Sequence, residues 1–188
     1  QKFNKNCFTY GSVINTSNFE NPENENQKIT DISFAYFATG NVAISKDLLL
    51  KAGLFDSSFS LYGWEDLELG ERLKQLGTKL IKCPRAKGFH WHPPFDCGQI
   101  KSLVAKESER AKMALVFFKK HPNLRVRFII QYTFLHVLLW RILSLGGLIS
   151  VKTITPLLEF LVKKGKNSLA LEFLKIPLNL IYVNEINR

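Results

Sequence analysis

Tyr62-Gly63-Trp64-Glu65-Asp66-Leu67-Glu68-Leu69-Gly70-Glu71-Arg72-Leu73 is the stretch whose reading decides the fold. From Glu65 it predicts a helix that runs to about Leu76 and stops at Gly77. Asp66, Leu69, Leu73 and Leu76 recur at three- and four-residue spacing, so they share one face of that helix. A carboxylate on an apolar face is costly unless something pairs with it or uses it. Asp66 is therefore the candidate for an inward-facing chemical role, whereas Glu65 and Glu68 fall off the stripe. A plainer reading stands beside this one: carboxylates in a first turn stabilise the positive end of the helix dipole. The same dipole predicts a lowered pKa for Asp66.

The loop just upstream, Leu54–Trp64, carries Phe55, Phe59, Tyr62 and Trp64. Sugar rings have apolar C–H faces that pack on aromatic rings, so Tyr62 and Trp64 are candidate carbohydrate contacts. Phe55 and Phe59 read better as core anchors. Further upstream, Thr39-Gly40-Asn41 offers a backbone that a ligand can approach closely at Gly40 and a side-chain donor and acceptor at Asn41. A hairpin turn accounts for the same residues equally well.

Downstream, Phe89-His90-Trp91-His92 reads as the end of a strand. Residues two apart on a strand share a face, so both imidazoles point the same way. Such a pair can hold a divalent metal or a pyrophosphate, or can be two ordinary hydrogen-bonded histidines. Adding Cys83 and Cys97 gives C-x6-H-x-H-x4-C, which does not match structural zinc spacings.

The rest of the chain sets these pieces in order. Residues 1–30, rich in Asn and Glu, predict a loop. Ile32–Ile44 predicts a strand, a tight turn at Gly40-Asn41 and a short strand. Ser45 is the expected N-cap of a helix through Ala52, with Gly53 beyond its end. Lys79–Lys82 and Ala86–His92 predict two short strands around Pro84, and Pro93-Pro94 ends the second. The second half predicts helices. One carries the stripe Ile100, Leu103, Val104, Ala111, Ala114, Leu115 and Phe118 and stops before Pro122. Another starts at Thr155-Pro156 as N-cap and N1, and a last one spans roughly 167–183. Residues 124–149 are strongly apolar, but their longest run without a charged residue, Phe128–Trp140, has 13 residues. A bilayer span needs about 20. The stretch is expected to be a core helix or an interfacial one.

Charge divides the chain in the same place. Residues 1–100 hold 11 Lys/Arg and 11 Asp/Glu, whereas 101–188 hold 15 basic and 5 acidic residues and so carry the whole net charge of +10. This asymmetry points to an anionic partner on one side, such as a membrane surface or a phosphorylated acceptor. Nucleic acid is disfavoured because the basic half is apolar and helical rather than a set of basic residues interleaved with exposed aromatics. Three cysteines without a CxxC pair imply no disulfide framework and point to a reducing compartment. The expected location is the cytoplasm, peripheral on the inner face of the membrane. The chain opens on Gln1 in a polar run and is expected to be a piece of a longer protein.

Taken in order, Thr39-Gly40-Asn41-Val42-Ala43-Ile44-Ser45-Lys46, Gly53-Leu54-Phe55-Asp56, the stretch Tyr62–Leu73, and then Gly77, Pro84, Ala86 and His90 resemble the second half of GT-A glycosyltransferases of family 2. They are also similar to the C-terminal segment of galactosyltransferases. The resemblance covers about residues 34–95. It implies an α/β fold, a partial GT-A domain over residues 1–98 without its nucleotide-binding N-terminal half, followed by a helical region over 99–188. It also implies a nucleotide-sugar donor, a carbohydrate or lipid-linked acceptor, and an inverting transfer. By the same resemblance Asp66 is the general base and Glu65 orients hydroxyls. Gly40 and Asn41 lie against the donor sugar. His90, with His92 as second choice, helps hold a divalent cation (Mn2+ or Mg2+) on the pyrophosphate, the other ligands being in the preceding half. The family's Asp-x-Asp metal motif does not occur in this chain, nor does the Q-x-x-R-W motif of processive synthases, and Leu54 stands where the family often has a second glycine. A non-catalytic carbohydrate-binding or membrane-associated protein that retains the fold is the alternative.

Overall fold

The computed structural model describes residues 6–24 and 36–188. They divide into two compact units. The first comprises Gln1–Ser57 and Glu65–Pro93, and the second Ser58–Trp64 and Pro94–Arg188.

The first unit is a small mixed sheet with two helices. Its strands β1 (Cys7–Thr16), β2 (Val42–Ala43) and β3 (Lys79–Trp91) lie in the order β2-β1-β3. β1 runs antiparallel to β2 and parallel to β3. The central strand falls in a region expected to be loop. Asn- and Glu-rich flanks mask Cys7–Thr16, whose aromatic and β-branched residues suit a pleated, half-buried surface. Phe8 and Ile14 are fully buried, and Phe8 meets Tyr36 and Phe37 edge-to-face. Of the strand expected from Ile32, residues 32–35 lie outside the described residues, as do parts of the loop expected over 1–30. The turn at Thr39–Asn41 is a single 3-10 turn leading into β2.

β3 is one strand rather than the two expected. Pro84 falls at an irregularity where Gly11 pairs with Cys83 but Ser12 pairs with Lys87. A bulge accommodates a residue that cannot donate to the ladder. Asn41 stitches this bulge. Its Nδ2 donates to Ser12 O at 3.0 Å and to Ala86 O at 2.8 Å. A Cβ at Gly11 would fall 2.3 Å from both Ala86 O and Asn41 Nδ2, so only glycine leaves room for the stitch.

The helices follow the sequence closely. α1 (Lys46–Lys51) is capped by Ser45, which accepts from Leu48 N–H, and Gly53 turns the chain away at φ +88°. α2 (Glu65–Gln75) buries Leu69 and Leu73 against Phe8, Phe37, Leu48 and Ala52. Gly70 lets the helix approach Phe37, whose Cβ would lie 2.9 Å from an added Cβ.

The second unit is helical: α3 (Ile100–Lys120), α4 (Leu124–Ile129), α5 (Phe134–Leu143), α6 (Val151–Lys163) and α7 (Asn167–Ile186). Phe95, Ile154, Leu158, Leu161, Ala170, Leu174 and Leu178 form one of its cores. On α3 the buried positions are Ala111, Met113, Ala114 and Phe117, while Leu115 of the expected stripe faces solvent. α6 starts five residues before the expected Thr155-Pro156 pair. Ser150 is its N-cap, with a reciprocal box to Thr153, and Pro156 lies inside the helix. The stronger cap sets the start, and the proline sacrifices one hydrogen bond near the first turn. Residues 124–149 are not a single helix. Gln131, at φ +57°, separates α4 from α5.

Candidate active site

Asp66 sits in the first turn of α2 and is half-buried. Its Oδ1 accepts from Leu67 N–H at 2.8 Å. Burial raises its pKa above the ordinary aspartate value, and the neighbouring charge of Glu65 raises it further. Hydrogen bonds from the backbone N–H groups of Leu67, Thr39 and Asp66 itself act in the opposite direction. The lowered pKa expected from the helix dipole is thus reversed: desolvation and a like charge outweigh the dipole and the amide donors. The Thr39 contact joins two stretches far apart in sequence, the Thr39-Gly40-Asn41 turn and the acidic start of α2.

Glu65 is also half-buried. Its Oε2 is enclosed without a hydrogen-bond partner among the described residues. A buried carboxylate oxygen in that condition calls for an external donor. Glu68, off the apolar stripe, is nonetheless buried. It is 2% exposed, and its carboxylate takes Arg72 Nε at 2.9 and 3.0 Å and Nη2 at 2.7 Å. Arg72 in turn donates to the carbonyls of Ala52 and Leu54. This clamp ties the end of α1 to α2, so Glu68 serves the scaffold. Its i,i+4 spacing to Arg72 was the signal in the sequence.

The sheet register orders the remaining first-unit candidates. β2 runs antiparallel to β1, so the chain from Val42 back to Gly40 tracks toward Val13, which an added Cβ at Gly40 would meet at 3.1 Å. His90 pairs with Asn15 at the C-terminal end of the parallel β1–β3 pair, and His92 N–H donates to Thr16 O at 2.9 Å. The 39–41 turn and both histidines therefore lie toward the carboxyl ends of β1 and β3, the end where open α/β sheets place ligands. Gly40 keeps its backbone accessible there, while the Asn41 amide nitrogen is engaged in the sheet.

His90 and His92 are exposed, with ring centroids 4.0 Å apart, so the expectation of a shared face holds. His92 Nε2 is 3.2 Å from Asn15 Oδ1. No group of three or more His, Cys, Asp or Glu side chains able to hold a metal occurs among the described residues. The pair fits as part of a ligand set and not as a whole one.

Tyr62 and Trp64 belong to the second unit. Trp64 is half-buried, at φ +76°, a strained conformation for a bulky residue. Its Nε1 donates to Arg110 O at 2.8 Å, and its ring lies 6.3 Å from Phe117 and 6.4 Å from Tyr182. Arg110 stacks on Tyr182 at 4.4 Å and pairs with Glu107 at 2.8 Å. Nothing local in the sequence announced this anchor, because its members are more than forty residues from Trp64. Tyr62 is exposed, with Lys106 Nζ 5.5 Å from its ring centre. Of the two aromatics it is the more exposed.

Comparison with known proteins narrows the chemistry. Over 70 residues, 37% of its length, the chain is 40% identical to the hyaluronan synthase of Pasteurella multocida. It is equally similar to the chondroitin synthase of Pasteurella multocida strain Pm70, and 37% identical to that of Escherichia coli. The match spans only 7% of each Pasteurella protein and 10% of the Escherichia coli one. No family model matches the chain, and no solved structure matches it. All three relatives are synthases by name, and the first unit of this chain is a mixed α/β unit with a three-stranded sheet.

Proposed function

We propose that this chain is the acceptor-side part of a nucleotide-sugar glycosyltransferase of the GT-A type, family 2-like, with Asp66 as general base. One observation carries the reading: a half-buried carboxylate with a raised pKa sits beside a second carboxylate whose enclosed oxygen has no hydrogen-bond partner among the described residues. A raised pKa makes Asp66 the stronger proton acceptor. Asp66 takes the proton of an acceptor hydroxyl while the hydroxyl oxygen bonds to the anomeric carbon. The bond from that carbon to the nucleotide diphosphate breaks on the opposite face, which inverts the configuration. Glu65 Oε2 accepts from a sugar hydroxyl, and Gly40 admits the donor sugar against the backbone. Trp64 holds the loop that carries Tyr62. His90 and His92 would contribute ligands to a divalent cation, and such a cation would supply positive charge to the departing diphosphate. The names of the relatives direct the acceptor toward a growing polysaccharide.

The test is nucleotide diphosphate release by the full-length protein, offered a panel of nucleotide sugars with and without oligosaccharide acceptors. Release that requires an acceptor is the expected result. Saccharide binding with no acceptor-dependent release would favour a carbohydrate-binding protein that retains the fold.

A further inference from the structure

α5 turns its apolar side to water. Phe134, Leu135, Leu138, Leu139 and Ile142 share one face by helical spacing, and all five are exposed, Phe134 at 75% and Ile142 at 61%. His136, Val137 and Trp140 form the half-buried side. That side is fixed by polar contacts: Trp140 Nε1 donates to Gln131 Oε1 at 2.7 Å, and His136 Nδ1 lies 2.6 Å from Thr133 Oγ1. The exposed Phe128 of α4, its ring 6.1 Å from that of His136, adds to the apolar surface. Five large apolar side chains on one face of a ten-residue helix exceed what scattered surface residues explain.

The charge around this face has a single sign. From Arg110 to Leu158 the chain has eight Lys/Arg and no Asp or Glu. Arg125, Arg127, Arg141 and Lys152 are all exposed. A second copy of the chain seated on this face would bring like charges together, which disfavours self-association. The stretch Leu124–Leu143 is long and apolar enough to cross a membrane by composition. It breaks at Gln131, however, and a helix as long as α5 reaches only about 15 Å, half of the hydrocarbon core.

We propose that α5 and its basic flanks dock the chain on an anionic lipid surface. The helix lies in the plane of the membrane, with Phe134, Leu138 and Ile142 among the acyl chains and the arginines at the headgroup phosphates. This inference is independent of the transferase reading, since none of its residues belongs to the proposed site.

Flotation of the full chain with phosphatidylcholine vesicles, with and without about one-third phosphatidylserine, tests it. The chain is expected to float with the anionic vesicles and to be released by salt. The paired change Leu138→Glu with Ile142→Glu should weaken partitioning at least about tenfold, because it removes the buried apolar area. Arg125→Gln with Arg141→Gln should weaken it by about fivefold per charge. All four side chains are exposed, so unchanged circular dichroism is expected and verifies the fold. Absence of flotation, or equal binding to neutral and anionic vesicles, would overturn the proposal. So would a soluble dimer that Leu138→Glu dissociates, which would assign the face to a second copy.

Discussion

The proposed role of Asp66 rests on two features, a half-buried carboxylate and a pKa raised by burial. Glu65 contributes to the raised pKa through its charge. Glu65→Gln removes the like charge, so Asp66 ionises at lower pH and the acidic limb of the pH–rate profile should move down. A limb that stays in place would mean that another group sets it. The inward position of Asp66 was legible from its spacing to Leu69 and Leu73. The direction of its pKa shift was not, because the helix dipole is a local effect, whereas burial and the Thr39 amide are products of tertiary packing. Glu68 went unrecognised for a related reason. It lies off the apolar stripe yet is buried, because its pairing with Arg72 satisfies the charge.

The clamp on Ala52 and Leu54 ties α2, and with it the acidic turn, to the end of α1. Glu68→Ala leaves the Arg72 guanidinium without its carboxylate. It should cost about 3–5 kcal/mol, the range for breaking a buried pair from one side. A lower urea midpoint with an unchanged slope is the expected reading, and an unchanged midpoint would show that the pair is dispensable. Elements whose signals are local were readable: the Ser45 cap, the Gly53 and Gly77 stops, and the extent of α2. Elements that depend on partners were not. β1 becomes a strand because two neighbours pair with it, and β3 passes Pro84 because a bulge opposite Gly11 absorbs it. α6 takes its start from the Ser150–Thr153 box rather than from the proline.

The whole chain separates its tasks by unit and by charge. The neutral half holds the carboxylates, the 39–41 turn and the histidines, and the basic half holds the exposed apolar helix. The chain passes from one unit to the other between Trp64 and Glu65, inside a single motif. The aromatic and acidic members of that motif are therefore held by different scaffolds, the first by Arg110, Phe117 and Tyr182 and the second by α2. All of this converges on one carboxylate, whose removal leaves a near-isosteric amide. The rate of the chemical step in Asp66→Asn of the full-length protein, followed in a single turnover with donor already bound, tests the assignment most directly. A fall of about 10²–10⁴-fold with donor affinity retained is the predicted result; a chemical step at the wild-type rate would contradict it.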